Sequence, residues 1–301
     1  MLFSTDPRAR KVALNVSLAA LVLAVVKGII GFASGSIAVL SSALDSAGDA
    51  IASFANFIFL RIAAKPPDEG HQFGHGKAEH LAALLQGLLL LTGAAILGYR
   101  AAQRIRTPAP LESNVIAIAA MIASMAATVV ITRYLKKNAV RSESSALAGD
   151  ALHYTSDLLA NGAAIVALAL VRVTGNPLYD SIFGVTVACW IAWSSIYLIW
   201  NAANDLMDAA LPDAEVRLVI EAIERSDPIV LGYRDLRTRR AAGVRFIEFE
   251  LCIDSHVSFE RAHEATELVK TKIRERIPRS VVIIHAEPDD GNSELKIQNS
   301  E

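Results

Sequence analysis

The chain has 301 residues, of which 53% are apolar and 20% are charged, and its formal net charge at pH 7 is −2. The charged share lies a little below the roughly 25% that is usual for soluble proteins. No basic excess points to a nucleic-acid partner, and the two cysteines are too far apart to suggest a disulfide framework or a thiolate zinc finger. This composition indicates a membrane part joined to a soluble part.

Six stretches are long and apolar enough to cross a bilayer, for which a helix needs about 20 mostly apolar residues. The first follows a short polar start, MLFSTDPRARK, and no small-residue cleavage site closes it, which predicts a retained helix and not a signal peptide. An excess of Lys and Arg in alternate loops predicts that both termini lie in the cytoplasm. The predicted membrane helices cover residues 12–33, 37–60, 79–100, 113–133, 145–171 and 178–202.

Beyond Leu211 the composition changes, and the pattern predicts a helix, two strands, a second helix and a third strand. Apolar residues alternate in RFIEFELCID, so that one strand face holds Ile247, Phe249, Leu251 and Ile253. This order is typical of a small α+β domain. No nucleotide-binding loop is present. We expect a six-helix membrane domain at 1–208, an α+β domain at 209–290 and a disordered tail at 291–301.

Two of the predicted membrane helices contain ionisable side chains at helical spacing. Asp45 and Asp49 are four residues apart, as are His153 and Asp157, which places each pair on one helix face. Together they supply the four ligands of a tetrahedral Zn²⁺ site. The alternative is a set of buried polar groups that pair with each other, although a charge at mid-bilayer costs at least about 2.5–3.5 kcal/mol. Asp150 lies either beside these ligands or near the cytoplasmic mouth as a helix-terminal charge.

The ligand types also predict a mechanism. Carboxylates and imidazole bind a metal only when they are deprotonated, so an entering ion displaces protons and returning protons displace the ion. A site made of protein ligands alone strips the ion of water, which favours Zn²⁺ or Cd²⁺ over Mg²⁺. Fe²⁺ and Mn²⁺ suit the same ligands, so the sequence leaves the metal and the number of exchanged protons open.

A second set of potential ligands lies in the loop KPPDEGHQFGHGKAEH, after the second predicted helix. Asp68, His71 and His75 are close in sequence, and the prolines and glycines around them shape a tight, non-helical turn. Because Zn²⁺ binds His and carboxylate groups, this loop is a candidate metal site. The alternative is a solvated polar loop.

The soluble domain holds a third set of polar residues. His285 and Glu287 are two residues apart on a predicted strand and therefore share a face. His263 lies on the preceding predicted helix, and Glu248 and Glu250 lie on the polar face of the neighbouring strand. The alternative is a scatter of surface residues, since polar side chains are expected on an outward strand face.

Several stretches distributed along the chain form a recognisable combination. They are SIAVLSSALDSAGD around Asp45 and Asp49, FGHGKAE at 73–79, GDALHYTSD at 149–157, ALP at 210–212, DLRTR at 235–239 and VIIH at 282–285. In this combination the sequence resembles the cation diffusion facilitator family, and most of all its bacterial ferrous-iron and zinc efflux pumps. The resemblance covers the chain from about Lys11 to Pro288.

The resemblance implies a polytopic α-helical membrane protein with six transmembrane helices and a cytoplasmic, metallochaperone-like domain of ferredoxin-like α+β fold. It implies a homodimer in the bacterial inner membrane that exports Zn²⁺, with Cd²⁺ and Fe²⁺ as companions, in exchange for protons and without an organic cofactor. The implied site residues are Asp45, Asp49, His153 and Asp157 for transport, Asp68, His71 and His75 in the loop, His263, His285 and Glu287 in the cytoplasmic domain, and an interlock of Lys77 with Asp208.

One departure concerns the cytoplasmic site, which in this family holds two ions at the dimer interface. Arg234 and Glu250 stand where the family has two further histidines, and arginine cannot ligate a metal. We therefore expect the loss of one ion and a single ion at His263, His285 and Glu287. Arg234 is expected to pair with Glu250 or Glu287 and to replace the missing cation, so that dimerisation of this domain depends less on metal.

Two other classes of function compete with a secondary transporter. An intramembrane metalloenzyme, such as a protease, keeps an open coordination position and a general base, often in an H-E-x-x-H motif that this sequence lacks. A membrane metal sensor would signal through the soluble domain without moving ions. We expect a proton-coupled antiporter and not an enzyme, and flux across a sealed vesicle separates it from a sensor.

Overall fold

The structure of the protein is a computed structural model, which describes residues 6–34, 37–106, 115–176, 178–241 and 243–289. The described chain forms two compact units that divide between Ala203 and Asn204. We refer to them as the helical unit and the C-terminal unit. The division lies within a few residues of the boundary predicted after residue 208, and the predicted disordered tail at 291–301 falls outside the described residues.

The described part of the helical unit consists of six long helices. Each has between 27 and 30 residues and at 1.5 Å per residue reaches about 40 Å, which exceeds the roughly 30 Å hydrocarbon core of a bilayer. The helices are α1 Pro7–Ser34, α2 Ile37–Ala63, α3 Ala78–Arg106, α4 Val115–Ser142, α5 Ser145–Thr174 and α6 Leu178–Leu206. In α1, α3, α5 and α6 a continuous stretch is apolar enough to span a membrane. A helical membrane domain is therefore confirmed, while the count of six spans stays a prediction.

Small side chains form much of the contact between these helices. Ala13, Ala82 and Ala146 are almost fully buried, together with Leu60 and Leu135. Alanine side chains let helix backbones approach closely in a membrane protein. In this way α1 packs along α2, and α5 packs against both α3 and α4.

The outward surfaces of the helices are apolar over long stretches. A soluble protein rarely exposes a continuous apolar surface of this kind, whereas lipid tails cover it without cost. The exposed side chains on α1 and α6 include Leu18, Leu21, Val22, Val25, Ile29, Trp193, Tyr197 and Trp200.

Both ends of α5 are capped, which fixes its position along the chain. The Ser144 hydroxyl accepts a hydrogen bond from the backbone N–H of Leu147 at 3.2 Å, as expected for a serine before the first helical turn. Gly175 ends the helix with a φ of 71°, a left-handed conformation that glycine adopts without strain. His153 and Asp157 consequently fall in the third and fourth turns of α5.

The C-terminal unit has the predicted order of helix, strand, strand, helix and strand. Its elements are α7 Asp213–Glu224, β1 Val230–Ala241, β2 Val244–Asp254, α8 Phe259–Arg276 and β3 Ser280–Asp289. The sheet order is β1-β2-β3, in which β1 pairs antiparallel and β3 pairs parallel with the central β2. Gly243, with a φ of 73°, lies in the tight turn between β1 and β2. This arrangement confirms the expected ferredoxin-like α+β fold.

One face of β2 forms the core of the C-terminal unit. Ile247, Phe249, Leu251 and Ile253 are each at most 2% exposed, which confirms the alternation seen in the sequence. They pack against the apolar sides of α7 and α8, which contribute Val219, Ile223, Val269 and Ile273. Glu248 and Glu250 alternate with these residues and therefore lie on the opposite face of the sheet.

Candidate metal centre

The helical unit brings together three of the four predicted transport ligands. The His153 Nε2 atom lies 3.0 Å from Asp49 Oδ1 and 3.7 Å from Asp157 Oδ2. Ligand atoms of all three residues lie within 4.8 Å of one another, and each residue is partly buried. Tetrahedral ligands at 2.0–2.2 Å from a Zn²⁺ ion are about 3.4 Å apart, so these spacings suit a metal ion with little rearrangement.

The fourth predicted ligand, Asp45, lies just outside this cluster. It precedes Asp49 by one turn of α2 and is exposed. Asp45 nevertheless lines the same cavity as Asp49 and Asp157. This cavity has a volume of about 500 Å³ and is also lined by Lys27 and Asn161. Asp45 therefore borders the space next to the cluster.

Asp150 occupies a different position from the ligands. It lies in the second turn of α5 and is fully buried, so it is not an exposed helix-terminal charge. Asn56 donates a hydrogen bond from Nδ2 to Asp150 Oδ1 at 2.8 Å, and the Ser53 hydroxyl is 3.5 Å from the same oxygen. The Ser53 and Tyr154 hydroxyls are 3.1 Å apart. Asp150 therefore belongs to a buried polar network that connects α2 with α5.

The sequence analysis missed the other members of this network, although the signal was present. On α2, Ser53 and Asn56 continue the spacing of Asp45 and Asp49 in steps of three or four residues, and therefore share their helix face. On α5, Tyr154 and Asn161 extend the face of Asp150, His153 and Asp157 in the same way. Extending the helical periodicity from the charged residues to the neutral polar ones would have identified both stripes.

The three predicted ligands of the loop site also come together. Asp68 Oδ1 lies 3.3 Å from His71 Nδ1, Asp68 Oδ2 lies 3.4 Å from His75 Nε2, and the two imidazole centroids are 4.4 Å apart. Gly74, with a φ of 80°, allows the turn that brings the second histidine back to the first. The cluster is exposed apart from His75, as expected for a site that is open to solution.

Asp68 is held in its charged form. The backbone N–H of His71 donates a hydrogen bond to Asp68 Oδ1 at 2.7 Å, and this bond is the main reason why the pKa of Asp68 lies below its ordinary value. A depressed pKa keeps the carboxylate ionised to a lower pH than an ordinary aspartate. Asp68 is therefore available to a cation without first losing a proton.

In the C-terminal unit, two of the three predicted ligands are neighbours. His285 Nε2 and Glu287 Oε1 are 3.3 Å apart on β3. His263 is exposed on α8 and stacks on Phe259, with ring centroids 6.5 Å apart, and among the described residues it does not join a metal-sized cluster with the other two. The cytoplasmic ion stays a prediction.

Arg234 has an ion-pair partner that the sequence analysis did not name. Its guanidinium forms a short ion pair with the carboxylate of Asp289, whose side chain is 1% exposed. Arg234 lies on β1 and Asp289 ends β3, so the arginine reaches past β2, where Glu250 is its partner in the ladder. The sequence analysis predicted Glu250 or Glu287 as the partner of Arg234 and did not consider the last residue of β3.

The predicted interlock joins residues of different units. Lys77 directly precedes α3 in the helical unit, whereas Asp208 follows α6 in the C-terminal unit. Within the C-terminal unit, Asp208 Oδ1 accepts a hydrogen bond from Arg239 Nη1 at 3.1 Å. The interlock of Lys77 with Asp208 stays a prediction.

A helical membrane domain with a carboxylate and imidazole cluster between two of its helices, followed by a small α+β domain, is the arrangement expected of a membrane transport protein for cations. Comparison with known families identifies the chain further. Residues 13–207 match the family described as cation efflux transmembrane domain, and residues 211–289 match the cytoplasmic domain of cation efflux proteins. The chain belongs to the cation diffusion facilitator family, as the resemblance implied, and its function is cation efflux.

Bacterial relatives match along nearly the whole chain. The cation-efflux pump FieF of Cronobacter sakazakii is 34% identical over 278 residues, which cover 92% of each chain. FieF of Shewanella oneidensis is 35% identical over 279 residues, which cover 92% of this chain and 94% of the relative. A solved structure of the MamM C-terminal domain covers 26% of this chain and 98% of its own, at 28% identity and a TM-score of 0.25.

Proposed function

We propose that the protein exports a divalent transition-metal ion, Zn²⁺ foremost and Cd²⁺ and Fe²⁺ as companions, from the cytoplasm in exchange for protons. The observation that supports this most strongly is the cluster of Asp49, His153 and Asp157, contributed by two different helices of a membrane domain. Two carboxylates and an imidazole are ligands that Zn²⁺ prefers. Inside a membrane, ionisable groups of this kind mark ion pathways by default.

Asp45 is the proposed fourth ligand of the transport site. It shares a helix face with Asp49 and lines the cavity beside the cluster. A change in its side-chain rotamer, or a small shift of α2 against α5, would bring its carboxylate to an ion bound by the other three. Binding would then tighten the contact between the two helices, which connects ion occupancy with helix position.

Exchange with protons follows from the chemistry of the ligands. Both the carboxylates and the imidazole must be deprotonated to bind a metal ion, so loading on the neutral cytoplasmic side releases protons. Protons from the more acidic side then compete for the same ligand atoms and displace the ion. This cycle needs no nucleotide and no covalent intermediate.

We further propose that the protein is a homodimer in the bacterial inner membrane with both termini in the cytoplasm. The Lys and Arg bias of the loops and the match to the cytoplasmic domain of cation efflux proteins support this arrangement. Asp68, His71 and His75 are a second, exposed ion site. His263, His285 and Glu287 hold at most one ion, since Arg234 is engaged with Asp289.

The test is Zn²⁺ flux in proteoliposomes with an imposed pH gradient. We expect the unaltered protein to move Zn²⁺ against a counterflow of protons, and Asp49→Ala and Asp157→Ala to lower the flux at least about 100-fold, since loss of even an outer-shell partner costs 10–100-fold in metal affinity. Thr155→Ala is the matched control on the same helix, because that hydroxyl donates only to its own helix, to the Ala151 carbonyl at 2.6 Å.

Each alternative outcome has a definite meaning. Flux by Asp49→Ala and Asp157→Ala equal to that of the Thr155→Ala control would contradict the proposed site. A protein that binds Zn²⁺ but moves none in sealed vesicles would favour a metal sensor. Flux of Fe²⁺ or Mn²⁺ without Zn²⁺ would keep the antiport mechanism and change the metal.

A further inference from the structure

A lysine, Lys27, lines the cavity beside the proposed transport site, which we call the transport cavity. Among the described residues that line it, Lys27 is the one lysine or arginine, and it shares the cavity with Asp45, Asp49 and Asp157. Lys27 belongs to α1, whereas the carboxylates belong to α2 and α5. The positive charge is therefore brought to the acidic residues by a helix that supplies none of the proposed ligands.

Lys27 is fixed in position by a hydrogen bond. Its Nζ donates to the Ser46 hydroxyl at 2.7 Å, and Ser46 directly follows Asp45 on α2. Ser46 is buried and the contact is partly buried, so the ammonium group is directed towards the protein interior. A lysine that only snorkelled to the membrane surface would direct its ammonium group away from the cavity.

A count of the formal charges that line the cavity indicates the role of the Lys27 ammonium group. Three ionised carboxylates carry a charge of −3, and Lys27 brings this to −2. One divalent cation then neutralises the site, with His153 as a neutral ligand. Without Lys27 the occupied site would retain one negative charge in a membrane interior, where an unbalanced charge is costly.

We propose that Lys27 is a built-in counter-charge that matches the transport site to one divalent cation and weakens its hold on that cation enough to permit release. Lys27 does not ligate the ion, because an ammonium group has only hydrogen-bond donors. Instead its charge repels the bound cation and attracts the carboxylates when the site is empty. The inference rests on the proposed function of the Asp49, His153 and Asp157 cluster as a transport site.

The inference predicts an unusual direction of change. Removing a merely structural side chain would weaken ion binding, whereas removing a repelling charge tightens it. For Lys27→Met and Lys27→Gln we expect Zn²⁺ to bind about tenfold more tightly, since a unit charge at a few ångströms in a polar protein environment is worth at least this factor. The flux should show a lower KM and a lower kcat, because release becomes slower. Lys27→Arg keeps the charge and should restore both values.

The experiment is isothermal titration of the full-length protein with Zn²⁺ at constant pH, combined with proteoliposome flux for the same variants. Asp68→Ala and His285→Ala are included in every protein, so that titration reports the membrane site and neither the loop site nor the proposed site of the C-terminal unit. Neutral variants that bind Zn²⁺ as weakly as the parent protein, or more weakly, would overturn the inference. The inference would also be overturned if Lys27→Gln bound Zn²⁺ with the affinity of the parent protein while Lys27→Met did not. The hydrogen bond to Ser46, and not the charge, would then determine the affinity.

Failure to fold in both neutral variants would also overturn the inference, since Lys27 would then be a structural residue. These outcomes differ from failure of the proposed function. If the parent protein itself neither binds nor moves Zn²⁺, the transport site is wrong, whereas a working parent with unchanged Lys27 variants leaves that site intact.

Discussion

Asp289 is a carboxylate that the fold buries and that one arginine neutralises. Its side chain is 1% exposed, whereas the Arg234 side chain that binds it is 35% exposed. Breaking such a pair from the arginine side leaves an uncompensated charge in the protein interior, which costs more than the pair itself contributes. Arg234 thus has a structural role in the C-terminal unit at a position where relatives are expected to bind metal.

For Arg234→Leu we expect a loss of about 1–3 kcal/mol in the local stability of the C-terminal unit, because Asp289 is left buried without its cation. Hydrogen–deuterium exchange of β1 and β3, measured by mass spectrometry, reports this directly. Arg225→Leu is the matched control, since Arg225 is 73% exposed and forms only an i,i+4 ion pair with Glu221. Equal exchange in the two variants would show that the buried pair contributes nothing.

The candidate ligands could be identified from the sequence, whereas one ion pair of the C-terminal unit could not. Asp49, His153 and Asp157 stand out because charged residues at helical spacing are rare in apolar segments. The ion pair of Arg234 with Asp289 is different, because it depends on a sheet in which β1 and β3 flank β2. The two residues are 55 positions apart and neither belongs to a local motif.

At the scale of elements, α2 and α5 are held together by a polar stripe as well as by apolar packing. Asn56 and Ser53 of α2, one to two turns from Asp49, meet Asp150 and Tyr154 of α5, which lie within one turn of His153. A buried polar network of this kind specifies one register between two helices, since a shift would leave its groups unpaired. The register in turn sets the distance between Asp49 and His153.

For Asn56→Ala we expect a lower thermal stability and a Zn²⁺ affinity reduced by about tenfold, because Asp150 loses the donor that anchors α5 to α2. Thermal unfolding and Zn²⁺ titration of the same preparations measure both effects. Asn138→Ala is the control, since Asn138 is only partly buried and its side chain donates within its own helix, to the carbonyl of Tyr134 at 2.8 Å. An unchanged Zn²⁺ affinity in Asn56→Ala would show that this polar network does not support the proposed metal site.

Element order was predictable to a different degree in the two units. The helix–strand–strand–helix–strand order of the C-terminal unit is confirmed, because the apolar period changes visibly between its helices and strands. The relation of α2 to α5 was not predictable in the same way, since the register of two apolar helices leaves no local signal. Hence spacing alone grouped Asp45 with Asp49, and the structure places Asp45 in the adjoining cavity, outside the cluster of Asp49, His153 and Asp157.

At the scale of the whole molecule, the C-terminal unit can be expected to assemble without a full set of metal ions. A positive guanidinium lies where the resemblance expects a ligand for a second cation, and its own counter-ion is Asp289. The core of β2, α7 and α8 consists of apolar side chains such as Phe249, Ile223 and Val269. The proposed dimer therefore has less need of metal than a relative with a binuclear site.

We expect the purified protein to remain dimeric after treatment with EDTA, because Arg234 supplies a charge that no chelator removes. Mass photometry before and after chelation measures this. Arg234→His is the comparison: it restores a potential ligand and removes a permanent charge, so that its dimer should become sensitive to EDTA. Dissociation of the unaltered protein in EDTA would contradict the expectation.

The packing of α1 along α2 has a consequence for the electrical behaviour of the pump. These two helices carry Lys27, Asp45 and Asp49, so a rigid movement of the pair keeps the counter-charge with half of the proposed ligands. With one Zn²⁺ bound, the site then has no net charge by the count given above. Movement of the loaded site through the membrane field would carry no net charge, so a membrane potential would neither drive nor oppose that step.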